Sequence, residues 1–184
     1  MASAPPRDPA AALLRLLQVM ATLRGPEGCP WDREQSHRTL LPYLIEEAYE
    51  FLDAVERGDA AATKEELGDV LLQVVFHAQV ASEAGGFTFA DVAADLAAKM
   101  VERHPHVFGG ERLPDSAAVK HVWEQRKMKT RSGHLEGIPS GLPALQWAGK
   151  VASRAAKAGF EWNHRGEIFE RAGEELQEFR ASLE

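Results

Sequence analysis

Four carboxylates stand out by residue type and spacing. In EEAYE, Glu47 and Glu50 lie three residues apart, and in EELGD, Glu66 and Asp69 repeat the interval. On an α-helix that interval leaves two side chains about 60° apart around the axis and one turn apart along it, so each pair can face one point. The two segments are separated by a Gly58-Asp59 break, and so short a connection makes successive helices antiparallel neighbours. The four carboxylates then converge. Such a group repels itself unless a divalent cation sits within it, and an all-oxygen ligand set suits Mg²⁺ or Mn²⁺ better than a soft metal. Either motif alone is an ordinary solvated acidic face. The pairing changes that, because apolar Phe51, Leu52, Leu67 and Leu71 stand directly beside the acids and turn them toward the helix interface. Gly68 costs about 1 kcal/mol relative to Ala in a helix interior, which a close backbone approach would explain. A di-iron carboxylate bundle would need Glu-x-x-His twice, and neither motif contains it. His77, two turns past Asp69 in LLQVVFHAQV, reads as a core or interface histidine.

The elements that must position these acids follow from periodicity. Leu13, Leu16, Leu17, Met20 and Leu23 recur at helical spacing until Gly25-Pro26 ends the pattern. The turn-rich text GPEGCPWD, Gly25 to Asp32, reads as an ordered loop. A helix from about Gln35 to Arg57 carries the first acidic motif, and one from about Ala60 to Ala84 carries the second before Gly85-Gly86. Thr88 is placed to cap a fourth helix ending near His104-Pro105, and a short helix over about Ser116 to Lys129 holds Trp123. No alternating apolar-polar run argues for a strand, so the expected class is all-α. RSGHLEGIPSGLP, Arg131 to Pro143, reads as a linker. Beyond it GFEWN echoes GCPWD and EELQEF echoes EEAYEF, which points to duplication. The expected layout is a disordered leader over 1–12, a helical domain with the metal site over 13–130, a linker over 131–143 and an incomplete second repeat over 144–184.

Composition narrows the partners. Among 184 residues, 21 Lys and Arg stand against 28 Asp and Glu, a formal net charge of -7. No overall basic field is available to hold a nucleic-acid backbone. The single cysteine, Cys29, cannot form an intramolecular disulfide, which fits a reducing, cytoplasmic setting. The N-terminal residues lack the apolar core of a signal peptide, and charges interrupt every stretch that approaches a bilayer-crossing length, so neither membrane nor nucleic acid is expected as a partner.

Taken together, GCPWDREQSH, LIEEAYEFLDAV, KEELGDVLLQVVFHAQ and KMVERHPHVFG resemble the MazG family of nucleoside triphosphate pyrophosphohydrolases, over about Leu13 to Lys129. The resemblance implies a four- to five-helix MazG-like bundle, usually dimeric, that hydrolyses nucleoside or deoxynucleoside triphosphates to monophosphate and pyrophosphate with Mg²⁺. Carried over, the metal ligands are Glu47, Glu50, Glu66 and Asp69. The family's Lys-x-x-x-Arg and Trp-x-x-x-Lys pairs around the nucleotide fall on Lys99 with Arg103 and on Trp123 with Lys127. Water is the expected nucleophile, with Glu46 or Glu50 as the candidate general base. Trp31 is placed to stack on a base or to pack its loop, and Lys64 to approach a phosphate. Two-repeat members carry a second complete site, whereas Glu174, Glu175 and Glu178 have no downstream ExxD in this sequence. Activity is therefore expected to rest on the first repeat. The rival expectation is a weak or silent module of the same fold that binds nucleotide or a protein partner.

Overall fold

The computed structural model describes residues 8–110, 113–129, 133–160, 162 and 164–183. Among them the chain is all-α, with no strand. Its elements are α1 (Pro9–Arg24), α2 (Pro30–Glu34), α3 (His37–Glu56), α4 (Ala60–Glu83), α5 (Phe89–Arg103), α6 (Pro105–Phe108), α7 (Ser116–Lys129), α8 (Ala144–Lys157) and α9 (Arg165–Ala181). No described helix is long and apolar enough to cross a membrane. The chain divides into two compact units, one ending at Met100 and one beginning at Val101. The division falls within α5.

The first unit is built on the α3–α4 hairpin, the most extensive helix pairing in the structure. Ser36 and Thr39 form a reciprocal capping box at the start of α3, which satisfies backbone donors that have no partner inside the helix. Gly58, in the connection, has a φ of 69°, a left-handed conformation that glycine adopts without steric cost. Asp59 then accepts hydrogen bonds from the Ala61 and Ala62 backbone amides and starts α4. Ala54 is fully buried beside this turn. Toward the other end of the hairpin, Met20 of α1, Leu40 of α3 and Val75 and Phe76 of α4 form the core, with Leu16, Leu17, Leu72, Val80 and Phe89 against it.

Three element boundaries differ from expectation. α1 begins at Pro9, so the leader expected over 1–12 loses its last four positions to a helix whose Ala11 amide is capped by Asp8; residues 1–7 lie outside the described residues. The expected loop Gly25 to Asp32 runs into a short helix at Pro30, and another short helix follows His104. Both start on a proline, which breaks a helix interior but suits a first turn because its missing N–H has no partner there. The loop also approaches α1 closely: a Cβ on Gly28 would sit 2.1 Å from the Leu23 carbonyl oxygen, so only glycine fits. In the second unit, α8 and α9 contain no buried residue. Within that unit Arg126 donates to the Glu102 carbonyl at 2.9 Å and Arg154 to that of Glu136.

One side chain ties the loop to the core helices. The Arg24 guanidinium donates to the Glu83 carboxylate at 2.6–3.0 Å, to the Gln35 carbonyl at 3.2 Å and to the Asp32 carbonyl. It also lies 5.4 Å from the centre of the Phe76 ring. Its side chain is only 6% exposed, so removing a partner leaves a charge desolvated. The Arg24 hydrogen bonds hold the Glu83 carboxyl below the ordinary glutamate value of 4.5, aided by Gln79 and opposed by burial. A lowered carboxylate contributes stability that is full above its unfolded value and is lost as pH falls through the folded one. Glu83→Gln is therefore expected to destabilise by about 1–2 kcal/mol at neutral pH, a figure held down because the Glu83 side chain is 37% exposed. Urea melts from pH 7 to pH 3 should show the difference between wild type and variant shrinking below about pH 4.5.

Candidate metal centre

Glu47 on α3 and Glu66 and Asp69 on α4 each place a carboxylate oxygen within 4.8 Å of the others, and all three are half-buried. The hairpin produces this directly, since antiparallel helices set the middle of α3 against the first half of α4. Glu50 is exposed and stands one turn further along α3, outside that group. It lies close enough to Glu66 to push that carboxyl's pKa upward. The four expected acids thus arrive as a trio with a fourth attached at its edge.

The trio is electrostatically strained. Burial, then the charges of Asp69, Glu50, Glu66 and Glu46, push the Glu47 carboxyl above its ordinary value. Glu66 is raised as well, by burial first, then by Glu50, Asp69 and Glu65. Carboxylates that raise one another have a donor set whose repulsion a hard divalent cation relieves. The residues present fit such a cation.

The other expected site residues distribute as follows. Glu46 is exposed beside Glu47 and contributes to its raised value. Lys64 is exposed, and its register places it about 200° around α4 from Glu66, away from the trio. Lys99 is exposed on α5. Arg103, at the end of α5, has its guanidinium 5.6 Å from the centre of the Trp123 ring on α7, so these two expected nucleotide contacts meet in the second unit. The Lys127 side chain lies outside the described residues. Trp31 of α2 is 51% exposed and meets Tyr43 of α3 edge to face, ring centres 6.0 Å apart. Gly68 does not mark a close approach: a Cβ there would meet nothing within 4 Å, because α4 presents that side to solvent. On α9, Arg171 bridges Glu174 and Glu175 at 2.7 and 2.8 Å, so those acids are already paired with a cationic side chain.

Two residues on this surface, Tyr43 and Gln73, escaped the sequence reading, while His77 takes the interface position expected of it. Tyr43 precedes Glu47 by four residues and shares its helix face. Gln73 and His77 continue the face of Asp69 at the same spacing. His77 is half-buried, with Nδ1 2.8 Å from Nδ1 of His37 and the two rings stacked 5.1 Å apart. Burial and then His37 hold it below the ordinary histidine value of 6.5, so it is neutral at pH 7. The i, i+4 register from Asp69 was the available signal, hidden inside an apolar run.

A MazG nucleotide pyrophosphohydrolase domain model matches residues 35–108. The nucleoside triphosphate pyrophosphohydrolase/pyrophosphatase MazG of Thermotoga maritima is 44% identical over 165 residues, covering 90% of this chain and 65% of that protein. The nucleoside triphosphate pyrophosphohydrolase of Escherichia coli K12 is 45% identical over 170 residues, covering 89% and 65%. This chain thus spans about 65% of the length of these two curated relatives. The crystal structure of a mazG-related protein from Thermotoga maritima superposes with a TM-score of 0.53 at 31% identity, over 62% of this chain and 97% of that one.

The strain in the trio is directly measurable. Without divalent cation, Asp69→Asn is expected to raise the melting temperature by a few degrees, because it removes one of the charges acting on Glu47 and Glu66. Adding MgCl₂ should stabilise wild type and leave the variant nearly unmoved. For carboxyls held above 4.5, repulsion is full above the raised values and fades as pH falls through them. Thermal melts between pH 8 and pH 4 should accordingly show the cation's stabilisation declining toward acid.

Proposed function

This chain belongs to the MazG family, and on that premise we propose that it hydrolyses nucleoside or deoxynucleoside triphosphates to the monophosphate and pyrophosphate. Mg²⁺ is the proposed cofactor and Mn²⁺ its substitute. The observation that carries the reading is the carboxylate trio of Glu47, Glu66 and Asp69, with oxygens within 4.8 Å of one another. With Glu50 at its edge, this is the proposed metal-ligand set. A bound Mg²⁺ would supply charge neutralisation and alignment for the phosphate chain.

The remaining roles fall to the chain's own side chains. The net reaction adds water across the α–β phosphoanhydride. Glu50, in reach of the trio through Glu66, or Glu46 beside it takes the water's proton. Lys99, Arg103 and Lys127 stabilise charge on the phosphate oxygens, and Trp123 and Trp31 contact the nucleotide. The proposed layout keeps this machinery in a domain over 13–130, with 131–143 as linker and 144–184 as a partial repeat, in a cytoplasmic protein.

A homodimer is part of the proposal. Leu41, Ile45, Tyr49 and Leu52 recur along α3 at 48–58% exposure, and Leu67 and Leu71 continue the apolar surface on α4 at 54% and 39%. A stripe of that regularity is what a second copy would cover. Ile45→Glu is expected to halve the mass seen by light scattering while the protein stays helical by circular dichroism.

Pyrophosphate and monophosphate release from eight nucleotides, with and without Mg²⁺, tests the activity. Asp69→Ala and Glu50→Ala should each lower kcat/KM by about 10²–10³-fold, the range for loss of one preorganised charge-stabilising group. Wild type that binds Mg²⁺ and nucleotide yet releases no pyrophosphate would overturn the enzyme in favour of a binding module.

A further inference from the structure

Among the described side chains, three polar atoms are buried without a hydrogen-bond partner: Oε1 of Gln73, Nε2 of His77 and Nδ1 of His106. The last belongs to the second unit. The first two stand one turn apart on α4, in the same register as the metal carboxylates. Positions 66, 69, 73 and 77 fall within about 80° of arc around the helix, so one face runs from anionic ligands to two uncharged polar groups. Gln73 is 95% buried, with 5% of its surface exposed, and it is the sole buried polar residue described in the first unit. Buried polar atoms are nearly always paired, and leaving one unpaired destabilises the fold. An unpaired amide oxygen one helical turn from an unpaired imidazole nitrogen therefore marks a place where a partner is expected.

Across the hairpin, α3 offers a matching surface. Tyr43 shares the face of Glu47 and lies one turn from it, and the edge-to-face Trp31–Tyr43 pair leaves half of the Trp31 surface open. Half-exposed aromatic rings offer a planar heterocycle a stacking surface. A neutral amide and a neutral imidazole suit hydrogen bonding to an uncharged edge and not to a phosphate, which the cation site already attracts.

Building on the nucleotide reading above, we propose that Gln73 is the base-reading residue of this site. Its Oε1 accepts from an exocyclic amine or a ring N–H of the nucleobase, Nε2 of His77 pairs with the adjacent group on the same edge, and the base packs against Trp31 and Tyr43. The His37 contact leaves Nε2 of His77 as donor or acceptor according to which Nδ1 carries the proton, so the pair can match either arrangement on the base. The triphosphate then extends one to two turns along the helices to Glu47, Glu66 and Asp69.

Gln73→Leu, with Gln73→Met as the second shape-preserving variant, tests the assignment. Across the eight nucleotides, the kcat/KM ratio between the best and worst base should shift by about tenfold or more, the worth of one hydrogen bond that selects a substrate. The melting temperature should hold or rise, because an unpaired buried amide has been removed. The same factor for all eight nucleotides, or no change in ratio, overturns the proposal and leaves the amide to packing or an ordered water. Wild type without pyrophosphate release defeats the enzymatic reading separately; equilibrium dialysis of the same nucleotides then applies the same ratio criterion, and equal or absent binding defeats the base site too.

Discussion

Mutual repulsion among Glu47, Glu66 and Asp69 is the constraint around which the first unit is arranged. Three half-buried carboxylates with oxygens inside 4.8 Å would splay if the helices carrying them were free to part. They are not, because the hairpin is fastened on both sides of the acids. The Gly58 turn, the Asp59 cap and buried Ala54 fix one end. Leu40, Val75 and Phe76 fix the other against Met20. Apolar burial and backbone hydrogen bonding at the ends thus hold together a charge group that destabilises the middle.

The same division of labour explains the Arg24 clamp. α2 is a five-residue helix with no buried residue of its own, so packing alone cannot set its position. Arg24 replaces packing with direction: two backbone carbonyls of the α2 segment and the Glu83 carboxylate are read by one planar guanidinium, which a point-charge ammonium would not span in one plane. The Trp31–Tyr43 contact inherits its geometry from that arrangement. A charged group near the core is thereby used for placement, where its net stabilisation is small but its hydrogen-bond geometry is specific.

How much of this was legible depended on whether the signal was periodic. The α3 and α4 helices and the converging acids followed from i, i+3 spacing and a two-residue break, features that constrain the backbone directly. α2 and α6 were missed because proline in a turn-rich text reads as a stop, while the structure uses it at a first turn. The exposed placement of Glu50 and the open space around Gly68 depend on side-chain direction and neighbours, which spacing does not encode. The role of Lys64 suffers from the same gap: nearness in sequence placed it by Glu66, but two residues along a helix is nearly opposite. The resemblance to MazG nucleoside triphosphate pyrophosphohydrolases supplied what periodicity could not, and the match over residues 35–108 covers the whole hairpin.

Gln73 shows why a polar residue inside an apolar run needs its own explanation. Position 73 lies between Leu72 and Val75, which pack with the core, and a leucine there would bury more apolar surface and leave no unpaired oxygen. A glutamine held at 95% burial is less stable than that alternative unless something outside the chain completes its hydrogen bonds. The cost falls where a ligand can recover it, on the face that also carries Glu66 and Asp69. One helix face then presents a charged end and a neutral polar end in fixed order, and a molecule with an anionic chain and a hydrogen-bonding heterocycle can satisfy both in only one direction.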